Sequence, residues 1–482
     1  MAQIAYQCYI EYEEFFMAAK KVERVELIVL NKHGALNQIT GYIRQQGWDI
    51  KFLDASEAEN GTAKMLLDIE AGGVSFSKAM EKLADLNSMV SVTINRDGEK
   101  VVFQHSPESA KNAEKAPEIK APPKKAGTFR IMAVNPGSTS TKFGIYDDET
   151  CLFSKTVRHD AEALAKCGSI IDQKELRAEN IKQYLKTAEI ELSSLDAVAG
   201  RGGIIKPIES GVYSINDAML ADCRTESAMM HATCLGAIIA SEIAKPLGLP
   251  AFIVDPVVVY EMEPVTRLTG IPGIERINAF HALNQKAVAR RIAAELGKPY
   301  ESFRFVIAHM GGGCSIGAHR YGRVIDVSDA ILGEGPFTPE RAGAVPVMPI
   351  IDMCFSGEYT KAEVKALMLG KGGVKAYLGT NDITEVLKMI DSGDEFAALV
   401  FDSMLYQTAK EIGAMVVALD GRVDAIILTG GLAYSPKITG AIKQRVDRLA
   451  PVIVYPGEDE IWALAGGALR VLRGVEAVRQ YK

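Results

Sequence analysis

Hydrophobic and polar positions near the N-terminus predict the start of a small α+β module. Residues 22–30 (VERVELIVL) form a β-branched run that is typical of a strand. Leu36, Ile39 and Ile43 then recur at the spacing of a helix, and Gly47 is a stop signal for that helix. The folded part of the chain is therefore predicted to begin with a strand followed by a helix.

The next segment predicts a hairpin, a second helix and a closing strand. The runs WDIKFLDASE and TAKMLLDIE flank Asn60-Gly61, and this dipeptide strongly favours a tight hairpin turn. Ser75 can cap a helix, and SMVSVTI follows it as a strand. The resulting order, β-α-β-β-α-β, is the ferredoxin-like arrangement. Residues 1–20 carry no pattern that indicates a structure or a chemistry.

The rest of the chain repeats one structural motif, in which two strands are joined by a tight loop of small residues. Residues 129–148 do so around NPGSTSTK, and residues 303–328 do so around HMGGG. A third segment, residues 423–435, is an apolar strand that runs into Gly430-Gly431 and then into a helix pattern. This repetition indicates two similar α/β halves.

Composition separates the module from the larger body. Residues 104–128 are rich in Pro, Ala, Lys and Glu and poor in large apolar side chains, so they cannot bury enough surface to offset the entropy lost on ordering. The predicted organisation is an N-terminal segment at 1–20, a regulatory module at 21–100, a linker at 101–128, a first half at 129–280 that includes C-terminal residues, and a second half at 281–482.

Charge and cysteine content exclude several classes of protein. The formal net charge of -7 gives no general attraction to nucleic acid or to an anionic membrane. The cysteines number 7, an odd count without a C-x-x-C pair, which argues against a disulfide framework and a zinc site. No run approaches the ~20 apolar residues of a membrane span, and no secretory signal is present, so a cytoplasmic location is expected.

The loops of small residues are suited to binding phosphate. Glycine lets backbone N–H groups approach an anion closely, Ser138 and Ser140 add neutral donors, and Lys142 adds a positive charge. Neither G-x-x-x-x-G-K-[ST] nor G-x-G-x-x-G after a strand is present, so a Walker or Rossmann site is disfavoured. Two loops on two halves, with the Gly430-Gly431 segment, predict a nucleotide held from two sides.

The N-terminal module resembles an ACT domain over residues 20–95. NKHGAL (31–36) stands where that family has a short turn with glycine before its first helix, although His33 occupies a position where proline is frequent. The resemblance implies an amino-acid effector bound at residues 31–36, between paired copies. A dimerising or packing module without a ligand is the alternative.

The body carries a series of short motifs over residues 130–475: NPGSTSTK, GRGG, IESGVY, VDP, FHALNQKAVARR, AHMGGG, GEGPFTPERAG, MCFSGEYT, YLGTND, LTGGLAYS and YPGEDE. In this order they resemble the motifs of butyrate kinase, of the acetokinase family in the superfamily of acetate and sugar kinases, chaperones and actin. This resemblance implies two ribonuclease-H-like halves with a cleft between them, a homodimer or larger homo-oligomer, and Mg²⁺-dependent transfer of phosphate from ATP to butanoate, reversibly, giving butanoyl phosphate and ADP.

The resemblance also assigns roles to individual residues. Arginines suit a carboxylate and a moving phosphoryl group because the planar guanidinium binds oxyanion pairs bidentately. The assigned catalytic residues are Arg201, His281, Arg341 and Asp255. The nucleotide-binding residues are Asn135, Ser138, Ser140, Lys142, His309, Gly311, Gly312, Gly313, Gly430 and Gly431, and the contributors to the magnesium site are Asn135 with Glu458 or Glu460.

Two other functions stay open at this point. A sibling kinase would act on acetate, propionate or isobutyrate, because one or two methylenes decide the acid at ~1–3 kcal/mol each. A non-catalytic ATP-responsive sensor is less compatible with two arginines suited to a carboxylate. His231, His319 and the cysteines are expected to be structural.

Overall fold

The chain divides into two compact units, Met1–Glu118 and Ile119–Lys482. The computed structural model describes residues 21–30, 49–58, 62–71, 89–96, 99–104, 124–225, 232–277, 279–329 and 333–482. The predicted effector turn at 31–36, the two predicted helices of the module, residues 1–20 and His231 lie outside these ranges.

The described part of the first unit is an antiparallel sheet of order β2-β3-β1-β4-β5. The hairpin predicted around Asn60-Gly61 is confirmed, since Ala58 pairs with Thr62. Val25 and Leu27, two residues apart on the central strand, are both fully buried. The order β2-β3-β1-β4 is compatible with the predicted β-α-β-β-α-β arrangement. The strands are β1 (Lys21–Leu30), β2 (Asp49–Ala58), β3 (Thr62–Ala71), β4 (Met89–Arg96) and β5 (Glu99–Gln104).

Strand β5 is an addition to the expected four strands. It pairs with β4 from Ser91↔Gln104 to Arg96↔Glu99, and it includes residues 101–104 that the sequence pattern assigned to the linker. The run Val101-Val102-Phe103 consists of β-favouring residues, which explains why the sheet continues past the predicted boundary.

The second unit contains two sheets built on one plan. The first has the order β17-β10-β11-β9-β6-β7-β8, and the second has the order β14-β13-β12-β15-β16. Their strands are β6 (Arg130–Pro136), β7 (Ser140–Asp147), β8 (Thr150–Arg158), β9 (Ala197–Gly200), β10 (Val212–Ser214), β11 (Ala251–Val254), β12 (Arg304–Met310), β13 (Cys314–Arg320), β14 (Arg323–Val327), β15 (Ala425–Gly430), β16 (Val452–Pro456) and β17 (Arg479–Gln480).

The correspondence between the two sheets confirms the predicted repeat. In each sheet three consecutive strands form an antiparallel meander, and two later strands add in parallel beside the first strand of the meander. The chain returns to the first sheet at its end, because β17 pairs with β10. Parallel strands that share a direction end at the same edge, so the loops after β6, β9, β12, β15 and β16 are available to build a site.

Helices cover the faces of these sheets. α4 and α2 pack on one face of the first sheet and α13 on the other, while α11 and α12 cover the second sheet. No helix in the described ranges has the length and apolar character to cross a bilayer. The helices are α1 (Ala161–Lys166), α2 (Gln173–Thr187), α3 (Asp217–Arg224), α4 (Leu235–Ala244), α5 (Pro264–Arg267), α6 (Ala282–Glu295), α7 (Val347–Phe355), α8 (Lys361–Leu369), α9 (Gly373–Leu378), α10 (Ile383–Asp391), α11 (Glu395–Ala418), α12 (Pro436–Val446) and α13 (Glu460–Leu472).

Candidate active site

The loop between β6 and β7 is held in shape by a buried arginine. Arg177, fully buried on α2, donates to the carbonyl oxygens of Gly137 (2.8 Å), Ser138 (3.0 Å) and Ser140 (3.0 Å). The carbonyl of Thr139 accepts from the backbone N–H of residue 159. Carbonyl oxygens would repel a phosphate, and here all four of them are engaged by protein donors.

The side chains of Asn135 and Lys142 share one face of this hairpin. The two residues are directly opposite each other in the antiparallel ladder, so their side chains lie side by side. Ser138 lies at the exposed tip of the loop, and Ser140 opens β7 and is partly buried. The first phosphate loop predicted from NPGSTSTK is therefore a strand-loop-strand unit. The side-chain amide of Asn135 and the amine of Lys142 lie on the two strands that flank the loop.

Asn135 connects this loop to the C-terminal helix α13. Its amide donates to one carboxylate oxygen of Glu460, and the other oxygen of Glu460 pairs with Arg201, which directly follows β9. Burial lowers the pKa of Arg201 to about 10, so the guanidinium stays charged at neutral pH. These contacts gather three of the predicted site residues, although Asn135 and Glu460 are 325 residues apart in the chain.

The second loop, between β12 and β13, lies against Arg341. The N–H of Gly311 bonds the carbonyl of Gly313 (2.9 Å), which closes the turn. The hydroxyl of Thr338 donates to the carbonyl of Gly312 (2.6 Å) and accepts from the N–H of Arg341 (3.1 Å). Thr338 therefore ties the PERAG turn, which carries Arg341, to the second glycine loop.

His309 bridges the second loop and the end of β16. Its Nδ1 lies 2.8 Å from the Oδ1 of Asn284, and its Nε2 lies 3.1 Å from a carboxylate oxygen of Glu458. The hydrogen bond with His309 is the main cause that lowers the pKa of Glu458. Arg201 adds to this shift, so Glu458 and Glu460 both lie within the field of one arginine.

His281 stacks on His309 at the start of α6. The ring centroids are 3.8 Å apart and the planes differ by 14°. Nδ1 of His281 is 2.9 Å from the hydroxyl of Ser315. Burial and the neighbouring charges of His309, Arg201 and Arg341 hold the pKa of His281 well below its ordinary value. A neutral imidazole therefore lies within the electrostatic fields of both arginines.

Gly430 and Gly431 close the third segment of the site. Gly430 has φ +91°, and a Cβ on it would lie 2.3 Å from the carbonyl oxygen of Met310, so glycine is required there. A Cβ on Gly431 would meet open space. The predicted strand, glycine pair and following helix are thus confirmed as β15, a short turn and α12.

Asp255 belongs to a buried charged network. The other residues predicted for the site do not take part in this network's hydrogen bonds. One carboxylate oxygen accepts from the N–H of Gly211 and the other from Arg290, both at 2.8 Å. Burial raises the pKa of Asp255, but the charges of Arg290 and Lys286 outweigh it and hold the pKa below its ordinary value. Its backbone has φ +36°, a conformation that costs energy in a residue other than glycine.

The oxygen atoms near Arg201 are of the kind that would hold a magnesium ion together with phosphate oxygens. Mg²⁺ is usually bound by one or two carboxylates together with substrate phosphates and waters. Asn135, Glu458 and Glu460 offer hard oxygen ligands of that kind. In the described ranges no group of three or more His, Cys, Asp or Glu side chains is arranged to hold a metal ion by itself.

Several residues that shape the site are not indicated by the sequence motifs. Asn284 and Gln285 lie in the quoted run FHALNQ, so their polar character next to His281 was a usable signal. Thr338 lies in the quoted run GEGPFTPERAG, whereas Arg177 and Ser315 carry no local signal, because each acts on residues that are distant in the chain.

Comparison with known proteins agrees with this geometry. Residues 266–443 match the acetokinase family model. This match indicates a phosphotransferase whose acceptor is a carboxyl group.

Solved structures show the fold of the second unit. Acetate kinase from Porphyromonas gingivalis is 20% identical, with a TM-score of 0.62 over 71% of this chain and 100% of that chain. Propionate kinase from Francisella tularensis is 20% identical, with a TM-score of 0.58 over 70% of this chain and 98% of that one. Acetate kinase from Entamoeba histolytica is 17% identical, with a TM-score of 0.59 over 70% and 98%. The α/β fold with two related sheets is thus similar to the fold of these acetate and propionate kinases.

Proposed function

We propose that this protein transfers the γ-phosphoryl group of ATP to the carboxylate of a short-chain fatty acid, with butanoate as the preferred acid. The observation that carries the proposal is one connected set of contacts, from the first loop through Asn135, Glu460 and Arg201 to Glu458 and His309. His281 and Arg341 extend this set to the second loop.

The reaction needs positive charge and alignment more than proton transfer. A fatty acid with a pKa near ~4.3 is already ionised at neutral pH, so no general base is required. One carboxylate oxygen forms a bond to the γ-phosphorus, the bond from that phosphorus to the bridging oxygen breaks, and its electron pair leaves with ADP. When bound, Mg²⁺ would neutralise part of the phosphate charge near Asn135, Glu458 and Glu460.

Arg201 and Arg341 carry the electrostatic part of this mechanism. Burial lowers the pKa of both guanidinium groups, and their charges act across a partly dehydrated site where Coulomb interactions are stronger than in water. The neutral ring of His281 lies near both arginines and can donate one hydrogen bond to the transferring group without adding a third cation.

The test is acyl phosphate formation, trapped as the hydroxamate, with ATP, Mg²⁺ and a panel of acetate, propionate, butanoate and isobutyrate. We expect butanoate to give the highest kcat/KM. A higher kcat/KM for acetate or propionate would instead identify the protein as an acetate or propionate kinase. No product with any acid would overturn it.

Arg341→Ala provides the internal control for this assay. We expect loss of product with nucleotide binding retained, since Arg341 acts on the acid and the moving phosphoryl group. Arg445→Ala is the matched surface control, because Arg445 pairs with Asp402 on neighbouring helices. Equal activity of both variants would contradict the role of Arg341.

We also propose that the N-terminal unit binds an amino-acid effector. The support is the resemblance of residues 20–95 to an ACT domain and the antiparallel strand order of the described part. Kinetics of the full chain with each of the twenty amino acids test this. Unchanged kcat and KM with all of them would leave a packing or dimerising role.

A further inference from the structure

A continuous chain of buried hydrogen bonds runs from the hydroxyl of Tyr300 to the ring of His281. Tyr300 Oη lies 2.6 Å from His319 Nδ1, and His319 Nε2 lies 2.9 Å from Gln285 Oε1. Gln285 Nε2 lies 2.9 Å from Ser315 Oγ, which lies 2.9 Å from His281 Nδ1. The first four residues are buried, with at most 3% of their surface exposed.

The chemistry of Gln285 fixes the direction of the first links. Its Nε2 also lies 3.0 Å from the backbone carbonyl of Ser315, which can only accept, so the amide nitrogen must face Ser315. The amide oxygen therefore faces His319. Since that oxygen can only accept, Nε2 of His319 carries a hydrogen.

His319 then has to accept at its other nitrogen. Burial, reinforced by the charges of Lys286 and Arg290, holds the pKa of His319 well below its ordinary value, so the ring is neutral. A neutral ring with hydrogen on Nε2 has a bare Nδ1, and the hydroxyl of Tyr300 donates to it. Burial raises the pKa of Tyr300 well above its ordinary value, so that hydroxyl keeps its hydrogen.

The last link determines the protonation of His281. Ser315 Oγ accepts from Gln285 Nε2 and from the backbone N–H of His281 (3.4 Å), which occupies both of its acceptor sites and leaves the serine hydrogen to be donated to His281 Nδ1. A neutral His281 must then carry its hydrogen on Nε2. Among the described residues this nitrogen has no hydrogen-bond partner, and the ring lies within the fields of Arg201 and Arg341.

We propose that Tyr300, His319, Gln285 and Ser315 are positioning residues that keep the single hydrogen of His281 on Nε2, where it is available to the transferring phosphoryl group. The inference rests on the proposed phosphoryl transfer for its purpose, although the tautomer itself can be measured without turnover. A purely structural network would tolerate either tautomer of His281.

The test is ¹⁵N NMR of the imidazole nitrogens in the full-length protein at neutral pH. The signals of His281 are assigned by their disappearance in His281→Asn. We expect the protonated type of signal from Nε2 and the unprotonated type from Nδ1 in the wild-type chain. Hydrogen on Nδ1 in the wild-type chain would overturn the proposal, whatever the variants show.

Ser315→Ala breaks the final link while Gln285 keeps the backbone carbonyl of residue 315 as its acceptor. We expect the two tautomers of His281 to become mixed and kcat for the preferred acid to fall by about 10²-fold, as when one preorganised donor is lost, with KM unchanged. Ser328→Ala is the matched control. Ser328 is a buried serine whose hydroxyl accepts from the N–H of Ile316, and it is not part of the hydrogen bonds that connect Tyr300 to His281. It should leave the His281 signals in place.

Tyr300→Phe breaks the most distant link and supplies a second variant. We expect a smaller change of the His281 signals in the same direction as in Ser315→Ala. Unmoved signals in both variants would overturn the proposal. Absence of acyl phosphate with every acid in the wild-type protein would instead overturn the proposed function and leave the tautomer result standing.

Discussion

The guanidinium of Arg341 lies directly against Gly313. A Cβ on Gly313 would lie 2.2 Å from Nη1 and 2.7 Å from Cζ of Arg341. The φ angle of Gly313 is outside the left-handed region. Glycine is therefore needed at this position to make room for the arginine and not for the backbone conformation.

Gly313→Ala is expected to displace Arg341 and to lower kcat/KM for the acid by about 10²-fold, as for the loss of one charge-stabilising donor. The free energy of unfolding should change by less than about 1 kcal/mol, because the obstructing group is the end of a flexible side chain. Hydroxamate kinetics and urea denaturation measure the two quantities.

Gly440→Ala is the control for this prediction. Apart from its chain neighbours and the backbone of its own helix, a Cβ at Gly440, in the middle of α12, would meet no heavy atom within 4 Å. We expect unchanged kinetics and a gain of roughly 0.5–1 kcal/mol in stability from the better helix former. Wild-type kcat/KM in Gly313→Ala would show that Arg341 is not needed at its observed position.

Arg177→Lys is expected to loosen the first phosphate loop. A lysine amine cannot reproduce the fork that bonds the carbonyls of residues 137, 138 and 140. Each buried acceptor left unsatisfied costs about 1–3 kcal/mol, so stability should fall and KM for ATP should rise. Arg445→Lys, at an exposed ion pair, should cost less than about 1 kcal/mol. Equal effects of the two variants on KM for ATP would contradict the role of Arg177.

His159 should make the stability of the body depend on pH. Its Nε2 bonds the hydroxyl of Thr141 (2.8 Å), and burial, with the charge of Arg177, lowers the pKa of His159 from 6.5 to about 4. Between pH 6.5 and pH 4 the unfolded chain takes up a proton that the folded chain refuses. The free energy of unfolding therefore falls as the pH falls through this window.

Denaturation of the wild-type chain and of His159→Gln at pH 7 and pH 5 measures this contribution. We expect a smaller loss on acidification in the variant. The pKa values of His281 and His319 are also lowered, so part of the slope should remain in His159→Gln. An identical slope in both proteins would contradict the assignment to His159.

Lys286 and Glu261 form a buried ion pair in the second unit. Their charged atoms are 2.9 Å apart, with side chains 0% and 4% exposed, and Lys286 also donates to Ser210 Oγ. Lys286→Met would leave the charge of Glu261 buried without its partner and should cost about 3–5 kcal/mol.

The double variant Lys286→Met with Glu261→Gln separates the ion pair from simple loss of packing. We expect it to be more stable than Lys286→Met, because the unpaired charge is removed together with the lysine. Thermal denaturation of the single and double variants measures the coupling. A double variant that is less stable than Lys286→Met would contradict this account.

Much of the local structure could be predicted from short patterns. Asn60-Gly61 indicated a hairpin, and the loops NPGSTSTK and HMGGG were predicted correctly as strand-loop-strand units, because turn chemistry and strand propensity act over a few residues. The end of the N-terminal sheet was set four residues too early. Pairing of β5 with β4 is a tertiary contact that a composition shift does not reveal.

The residues of the candidate site could be predicted only in part from the sequence. Arg201, His281 and Arg341 were assigned through a resemblance, and the structure brings them into one region. The role of Arg177 was out of reach, since nothing in the surrounding run KELRAENIK points to the loop about 40 residues earlier that it supports. Asp255 was assigned to the catalytic set through the same resemblance, and its carboxylate pairs with Arg290 of α6.

Local sequence patterns specify the order of strands and loops, the glycines of the two strand-loop-strand units and the charged groups on which the proposed phosphoryl transfer rests. Tertiary packing determines which of those groups meet, such as Asn135 with Glu460 and Ser315 with His281. Pairing and proton position depend on distances and burial between segments far apart in the chain. Those quantities exist only once the two halves are packed together.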